Sequence, residues 1–261
     1  MKTLYFKTEP TFAELWDACL YNLLYNEKEY TKEILDVFNS LGINTTSKII
    51  DTSAGTGFIA LHLREKGFDI DCMDLMQDEI DVFQRKAKQM NVDDSISPLA
   101  WLDMFNTFEK ESYDFVFCRG NSFVFAPGGW NETQEVSQER CLQEYKKTLQ
   151  NFYDAMKPGA YLYLDKFKDG EIPHRDIVAK VDIEGGKPKD LVFYTEIKSE
   201  IKERSAAMLL VDEKGNEQGL PNQMYLLENH EVESILTEVG FTFKRIDLKS
   251  DKIFGYVKNN I

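Results

Sequence analysis

The chain has 261 residues and a formal net charge of −14, from 45 acidic and 31 basic residues. No cluster of Lys and Arg is long enough to follow a phosphate backbone, so a nucleic-acid partner is not expected. No uncharged apolar run reaches the ~18 residues of a membrane-spanning helix. The segment Met1–Lys7 lacks the apolar core of a signal peptide, so we expect a cytoplasmic protein without a membrane partner.

Cysteine and histidine usage argues against disulfide and metal sites. Cys19, Cys72, Cys118 and Cys141 are widely spaced without a Cys-x-x-Cys pair, which favours core packing in a reducing compartment. The three histidines show no metal-ligand spacing, so no metal is expected. A chain of this length commonly folds as one α/β domain, and we expect a single domain over 1–261.

Two helices are predicted before the first strand of the sheet. Apolar residues recur at helical spacing from Phe12 to Leu23, through Trp16 and Cys19, and again from Ile34 to Leu41. We expect residues 1–47 to form a helical cap over the sheet and its ligand.

A glycine turn follows the apolar run Lys48–Ile50. The turn reads Asp51-Thr52-Ser53-Ala54-Gly55-Thr56-Gly57 and precedes the helix-forming segment Phe58–Lys66. Glycine lets the backbone bend sharply and approach a ligand closely, while the amides at the start of the helix face an anion. This strand, turn and helix are typical of nucleotide-cofactor sites, although such a turn can also be plain architecture.

An acid lies at the end of the second predicted strand, Phe68–Asp74. Asp74 follows the turn by about 20 residues, the spacing at which a carboxylate accepts ribose hydroxyls. It lies at the carboxyl end of the strand, where open α/β sheets bind ligands, whereas Asp69 and Asp71 do not. A solvated acid at a strand end is the alternative for Asp74.

Strands and helices alternate through the next part of the chain. The predicted elements are a helix Ile80–Met90, strands Ile96–Met104 and Tyr113–Cys118, a helix from about Asn131 that ends at Pro158-Gly159, and a strand Ala160–Phe167. The alternation implies a parallel sheet with right-handed crossovers, and hence a doubly wound α/β fold. Residues 48–168 are the expected cofactor-binding core.

Residues 169–225 are expected to form an antiparallel insert that acts as a lid. The predicted elements of this insert are strands Leu191–Ile201 and Ser205–Asp212 and a turn at Glu213–Asn216.

Residues 226–261 are expected to complete the core sheet. The predicted elements there are a helix, Glu231–Val239, ended by Gly240, and an antiparallel hairpin of strands Phe241–Leu248 and Ile253–Val257.

Four features occur in an order that resembles the class I S-adenosylmethionine-dependent methyltransferases. They are the glycine turn, the acid Asp74, the stretch Trp101-Leu102-Asp103 and the Lys-Pro-Gly bend at 157–159. The resemblance spans roughly Lys48 to Phe167 and recurs in the carboxyl-terminal hairpin. One departure is Ser53, where many members carry the first glycine. The resemblance implies a mostly parallel seven-stranded, Rossmann-like sheet with S-adenosylmethionine as cofactor and S-adenosylhomocysteine as product.

The resemblance also implies roles for individual residues. The turn from Ser53 to Gly57 would hold the methionine moiety, and Asp51 its amino group. Leu75 and Met76 would pack on the adenine, Trp101 or Leu102 on its other face, and Asp103 would accept from the exocyclic amine. For Trp101, a half-buried aromatic at a strand end is the alternative.

The stretch Cys118-Arg119-Gly120-Asn121-Ser122-Phe123, with Trp16 and Tyr30 upstream, resembles the glycine and sarcosine N-methyltransferases. By this resemblance Asn121 binds the amino-acid substrate, Tyr30 contacts the cofactor carboxylate, and Trp16, Cys118 and Arg119 lie at the cofactor. An asparagine that caps the turn after a strand is the alternative for Asn121.

The acceptor pocket departs from that group. Where the animal glycine enzymes carry an arginine, this chain reads Asp165-Lys166-Phe167-Lys168, so Arg119, Lys166 or Arg175 would supply the positive charge. A pair between Arg119 and an acid on a neighbouring loop is the alternative for Arg119. Tyr194 and Tyr225 are expected to form a wall of the acceptor pocket.

The predicted function is methyl transfer to a small-molecule amine or amino-acid nitrogen. An O-methyltransferase, which would want a general base near the acceptor, and a non-catalytic protein that binds S-adenosylmethionine or S-adenosylhomocysteine are the alternatives. A dehydrogenase would share the first strand and turn but would not account for Trp101-Leu102-Asp103 or the terminal hairpin. A homo-oligomer is compatible with the sequence.

Overall fold

Two β-sheets and six α-helices make up the part of the chain that this computed structural model describes, which is residues 1–127, 138–165, 172–219, 222–244 and 254–258. The helices are α1 (Phe12–Cys19), α2 (Glu27–Leu41), α3 (Ala60–Glu65), α4 (Gln77–Met90), α5 (Gln138–Ala155) and α6 (Asn229–Val239). The strands are β1 (Lys2–Phe6), β2 (Lys48–Asp51), β3 (Asp69–Asp74), β4 (Ser97–Pro98), β5 (Tyr113–Cys118), β6 (Met156–Leu164), β7 (His174–Ile183), β8 (Lys189–Lys198), β9 (Glu203–Val211), β10 (Glu217–Gln218), β11 (Asn222–Tyr225), β12 (Phe241–Lys244) and β13 (Phe254–Lys258). Short π- or 3-10 helical segments cover Leu20–Leu24, Trp101–Asn106, Ser122–Phe125 and Ser199–Ile201.

The central sheet has seven strands in the order β12-β13-β6-β5-β2-β3-β4. Strands β2 to β6 pair in parallel, and β13 pairs antiparallel with both β6 and β12. The predicted parallel sheet and terminal antiparallel hairpin are therefore confirmed. The carboxyl ends of β2, β3 and β5 meet at one edge, where ligands of open α/β sheets bind.

Helices cover both faces of the central sheet. In β5, Phe115 and Phe117 join one apolar cluster with residues of α2, α3 and α4, whereas Val116 and Cys118 join another with residues of α5 and α6. Alternate residues of a strand point to opposite faces, so the sheet is doubly wound as predicted. All four cysteines are buried and free.

The insert forms a second, largely antiparallel sheet in the order β1-β7-β8-β9-β10, with β11 also paired to β9. The antiparallel insert is confirmed, but β1 and β7 were not predicted. Strand β1 pairs in parallel with β7, and its Leu4 packs in an apolar cluster with Leu15 of α1 and Val181. Residues 1–47 are therefore not helical throughout.

The predicted strand Ile96–Met104 is confirmed only as the short β4, because strand pairing stops after Ser97–Pro98. Pro98 lacks the amide hydrogen that a ladder needs, and a 3-10 helix follows at Trp101–Asn106. Trp101 thus lies on a turn of helix at the edge of the sheet.

Helix α5 ends at Ala155, three residues before Pro158. The start predicted near Asn131 and the strand end predicted at Phe167 lie outside the described residues. None of the described helices is both long and apolar enough to cross a membrane.

Candidate active site

A cavity of about 800 Å³ opens at the carboxyl ends of β2, β3 and β5. One part of its wall comes from the glycine turn and the segments after β3 and β5, and the opposite part comes from β7, β8, β9 and β11 of the insert sheet. The N-terminal helices add Phe12, Trp16, Leu20, Leu24 and Tyr25.

The glycine turn requires both of its glycines. Gly55 and Gly57 have positive φ angles of 52° and 84°, a region that residues with side chains rarely adopt. A Cβ at Gly55 would lie 2.5 Å from Glu79 Oε2, and one at Gly57 would lie 2.6 Å from Leu61 Cδ1. Gly55 lines the cavity, whereas Gly57 allows close packing of α3 behind it.

The Asp74 carboxylate lies in the cavity wall and fixes the turn. Its Oδ2 accepts a hydrogen bond from Gly55 N at 2.8 Å, and its Oδ1 accepts one from Met76 N at 3.0 Å. Burial raises the pKa of Asp74, and the two amide hydrogen bonds oppose that rise. The acid therefore links the ends of the two strands between which a ribose would bind.

Glu79 is a second acid in the wall, which the sequence analysis missed. It lies in the first turn of α4 and is 8% exposed. Burial, followed by repulsion from Asp74, raises the pKa of Glu79 to about 8. The signal was present, because Glu79 precedes Phe83 by four residues and so shares the apolar face of its helix.

The Trp101 ring is held by contacts on both sides. Its Nε1 donates to Thr52 O at 2.5 Å, and its ring meets Phe152 edge-on with centroids 6.1 Å apart. Leu102 and Leu75 also line the cavity and are 46% and 57% exposed, so they offer apolar surface at its mouth. Asp103 is exposed and lies outside the wall.

Arg119 places a buried positive charge at the wall. The side chain is 9% exposed, and its Nη2 lies 3.4 Å from Asp51 Oδ2. Burial lowers the pKa of the guanidinium, but the attraction of Asp51, together with that of Tyr30, Tyr163 and Asp165, outweighs it and the net shift is upward. Nε has no hydrogen-bond partner among the described residues, so the group has a donor left for an anion.

Asp51 lies behind Arg119 and outside the cavity wall. It is 1% exposed, and its Oδ1 accepts from Ser53 N at 3.2 Å. The prediction that Asp51 reaches the amino group of a cofactor remains untested, and Arg119 is the charged group that lines the cavity in its place.

Tyr25, rather than Tyr30, lines the cavity. The Tyr30 hydroxyl lies 3.2 Å from that of Tyr163 in the interior, and its ring packs against Tyr25 with centroids 4.9 Å apart. A direct role for Tyr30 therefore requires Tyr25 to move aside.

Asn121 lines the cavity directly after Gly120, whose amide donates to Asp165 Oδ2 at 2.9 Å. Its φ angle is 57°, and asparagine tolerates this left-handed region better than most residues. Backbone geometry and substrate binding each account for an asparagine here. Cys118, one residue before Arg119, is buried behind the wall.

The insert contributes different residues from those predicted. Tyr225 is 1% exposed, and its hydroxyl donates to Glu231 Oε1 at 2.6 Å. On β8 it is Phe193 and Thr195 that line the cavity, so strand alternation turns Tyr194 to the opposite face. Arg175 lies outside the wall with its Nη2 2.6 Å from Glu217 Oε1, and Lys166 lies outside the described residues.

Twelve of the predicted site residues line the cavity: Trp16, Ser53, Ala54, Gly55, Thr56, Asp74, Leu75, Met76, Trp101, Leu102, Arg119 and Asn121. The predicted residues that do not line it are Tyr30, Asp51, Gly57, Asp103, Cys118, Tyr194 and Tyr225. Their roles remain predictions.

Comparisons with known proteins give matches to a family model, to curated relatives and to solved structures. Residues 19–127 match the family described as tellurite resistance protein TehB. The glycine/sarcosine N-methyltransferase of Halorhodospira halochloris is 30% identical over 131 residues, which are 49% of this chain and 43% of the relative. The protein of the same name from Aphanothece halophytica is 26% identical over 157 residues, which are 59% of this chain and 52% of the relative. The chain thus spans about half the length of these curated relatives.

Solved structures resemble the whole chain. An S-adenosylmethionine-dependent methyltransferase from Clostridium acetobutylicum superposes with a TM-score of 0.68 at 12% identity, covering 95% of this chain and 97% of the other. Streptomyces venezuelae DesVI gives 0.67 at 15% identity, covering 97% and 100%. The amino pentose methyltransferase CalS10 of Micromonospora echinaspora, solved with S-adenosylmethionine, gives 0.66 at 12% identity, covering 96% and 99%.

These likenesses define the fold as that of the S-adenosylmethionine-dependent methyltransferases. Within that fold, the chain is similar in sequence to the glycine/sarcosine N-methyltransferases. Both resemblances predicted from the sequence are confirmed.

Proposed function

We propose that the chain is an S-adenosylmethionine-dependent methyltransferase that acts on the nitrogen of a small amine or amino acid. One observation carries the proposal: a cavity at the carboxyl ends of β2, β3 and β5 is lined together by the glycine turn, Asp74, Trp101 and Arg119. A fold alone does not specify chemistry, but this set supplies complementary groups for each part of the cofactor.

The residues present fit that cofactor. At Gly55 the cavity wall is bare backbone, which permits close approach of a ligand. Asp74 offers a carboxylate to ribose hydroxyls, Leu75 and Trp101 offer apolar surface to an adenine, and the Arg119 guanidinium offers a buried cation to a carboxylate. Bound S-adenosylmethionine would supply an electrophilic methyl group on its sulfonium sulfur.

The chain's own contribution is orientation and exclusion of water. The wall combines Trp16, Tyr25 and Phe58 on one side with the polar Asn121 on another. Aromatic faces favour a cationic methyl-bearing group, and the Asn121 amide can hold an acceptor by hydrogen bonds. The acceptor nitrogen must enter as the free amine, because its lone pair forms the new bond. Preorganised positioning of this kind can supply much of a rate enhancement.

An O-methyltransferase is the second candidate, and one observation favours it. His174 lines the cavity, with its Nδ1 3.3 Å from Ile172 O, and an imidazole can remove the proton of a hydroxyl acceptor. Exclusive methylation of hydroxyl acceptors, lost in His174→Gln, would replace the nitrogen assignment. Tight binding of S-adenosylhomocysteine without turnover on any acceptor would indicate a non-catalytic binding protein instead.

The test is an incubation of the purified chain with S-adenosylmethionine labelled in the transferred methyl group and a panel of amines, amino acids and alcohols. We expect label in an N-methyl product and formation of S-adenosylhomocysteine in equal amount. Asp74→Asn should lose most of this activity at subsaturating cofactor. If the wild-type chain neither binds the cofactor nor transfers its methyl group, the proposed function is wrong.

A further inference from the structure

A row of polar side chains crosses the wall that the insert sheet presents to the cavity. His174 of β7 pairs with Thr195 of β8, Thr195 pairs with Ala206 of β9, and Ala206 pairs with Asn222 of β11. All four residues line the cavity. Residues that pair across neighbouring strands share one face of a sheet, so one register line carries three hydrogen-bonding side chains and one methyl group.

Ala206 makes a recess in that row. Adjacent strands lie about 4.8 Å apart, so the backbones of Thr195 and Asn222 are separated by about 10 Å across Ala206. A methyl side chain leaves the space between them open to a ligand group, and both neighbours can hydrogen-bond to it.

Arg204 adds a cation beside the recess. It precedes Ala206 by two residues on β9, so it shares the same face, and it also lines the cavity. Arg204 is 5% exposed, and its Nη1 lies 3.3 Å from Met224 Sδ on the neighbouring strand. A buried guanidinium presents several donors in a rigid plane that matches the oxygens of a carboxylate or phosphate.

The two parts of the cavity wall differ in charge. Asp74 and Glu79 lie with Arg119 beside the glycine turn, and Arg140 and Glu144 lie on α5, whereas the described insert residues in the wall include Arg204 and no acidic side chain. Complementary potential of this kind selects ligands by charge.

We propose that the recess at Ala206, bounded by Thr195, Asn222 and Arg204, binds an anionic oxygen group of the methyl acceptor. The acceptor class is then an amine that also bears a carboxylate or a phosphate. The description of the bound molecule as a methyl acceptor rests on the proposed function. Binding of an anion in the recess can be measured without turnover. The assignment places the recognition of the anion on the insert sheet, instead of on the segment after β6 where the sequence lacks the expected arginine.

The primary test is calorimetric titration of the chain loaded with S-adenosylhomocysteine. Two matched pairs of probes separate the sources of the anion: glycine against glycinamide, and O-phosphoethanolamine against ethanolamine. We expect one anionic member to bind at least tenfold more tightly than its neutral partner, and the pair that discriminates identifies carboxylate or phosphate. Equal binding within both pairs, or no binding by either anionic member up to its solubility limit, would overturn the assignment.

Variants locate the site. Arg204→Gln should weaken the preferred anionic probe about 10- to 100-fold and leave binding of S-adenosylhomocysteine unchanged, and Arg204→Lys should recover part of the loss. Ala206→Leu keeps every charge but fills the recess, and it should weaken the same probe. Arg175→Gln is the matched control, because Arg175 is an arginine of the same sheet that is 44% exposed and lies outside the cavity wall.

The outcomes separate this inference from the proposed function. If Arg204→Gln and Ala206→Leu bind the anionic probe as the wild type does, the recess is not the anion site, whatever the methylation assay gives. If the wild-type chain binds the anionic probe through Arg204 but transfers no methyl group, the inference holds for a ligand and the methyltransferase proposal fails. Should a variant not fold, as judged by its S-adenosylhomocysteine affinity, the other variant decides.

Discussion

Asp74→Asn separates the structural role of this acid from its proposed contact with ribose. In the structure the carboxylate accepts from both Gly55 N and Met76 N. An Asn side chain can accept at only one of these positions and turns an amide donor toward the other amide. One amide without a partner costs about 1–3 kcal/mol. Burial raises the pKa of Asp74, so removal of a desolvated charge offsets part of this cost.

The effect on cofactor binding should be larger than the effect on stability. A hydrogen bond to a charged group is worth about 1.5–3 kcal/mol, so loss of one ribose contact weakens binding roughly 10- to 150-fold. At a ligand concentration 100 times the wild-type Kd, binding stabilises the native state by about 2.7 kcal/mol. A 100-fold weaker variant keeps only about 0.4 kcal/mol at that concentration.

Thermal shift with S-adenosylhomocysteine measures this difference. For a chain of this size 1 kcal/mol corresponds to roughly 2–4 °C in Tm. The wild type should therefore gain about 5–10 °C and Asp74→Asn about 1–2 °C, each relative to its own ligand-free Tm. Asp69→Asn is the control, since Asp69 begins the same strand and is exposed. A full ligand-induced shift in Asp74→Asn would refute the ribose assignment.

Three further substitutions have defined outcomes. Glu79 has a pKa raised from 4.5 to about 8, so its contribution to stability is complete below pH 4.5 and is lost as the pH rises through 8. The free energy of unfolding in urea should therefore fall across this pH range by at most about 5 kcal/mol more in the wild type than in Glu79→Gln. The same pH dependence of the free energy of unfolding in both proteins would contradict this. Gly55→Ala places a methyl group in the cavity wall at a positive φ and displaces the Glu79 carboxylate, whose Oε2 lies 2.5 Å from the new Cβ. It should destabilise the fold and reduce the S-adenosylhomocysteine shift. Gly42→Ala has a positive φ but nothing within 4 Å, so it should cost only about 1 kcal/mol and keep the shift. Asn121→Gly retains the positive φ and removes the side-chain amide. A rise in the KM of the acceptor of tenfold or more, with unchanged cofactor affinity, would support substrate binding by Asn121. Wild-type kinetics would assign Asn121 to backbone geometry alone.

The sequence predicted the sheet well because its signals are local and mutually consistent. Strand β2, the two glycines and Asp74 follow one another within residues 48–74, and each has its own physical reason to be there. The apolar run in β5 shows burial on both faces directly. The third strand was predicted too long because a proline and a 3-10 turn interrupt an otherwise apolar segment, and neither changes the composition much.

The cavity wall was harder to predict where helix geometry changes. Phe12, Trp16, Leu20 and Leu24 line the cavity, whereas the predicted face continued through Cys19 and Leu23, which pack against the insert sheet. The π-helical turn at Leu20–Leu24 follows α1 directly, and no sequence signal used here predicts it.

The insert was predicted as strands and as a wall of the acceptor pocket, but the residues named for that wall were not the ones that line the cavity. Strand β9 begins at Glu203, two residues before the predicted start at Ser205, so Arg204 lay between the two predicted strands. The row of His174, Thr195 and Asn222 exists only through the pairing of four strands, and register across non-local strands is not encoded in any single segment.

A crystal structure of the chain soaked with S-adenosylhomocysteine tests the proposed cofactor site most directly. We expect the ligand along the turn from Ser53 to Thr56, with both ribose hydroxyls within hydrogen-bond distance of Asp74 and the amino-acid carboxylate beside Arg119. A ligand bound elsewhere on the molecule, or a cavity that remains empty at saturating ligand, would contradict the proposal.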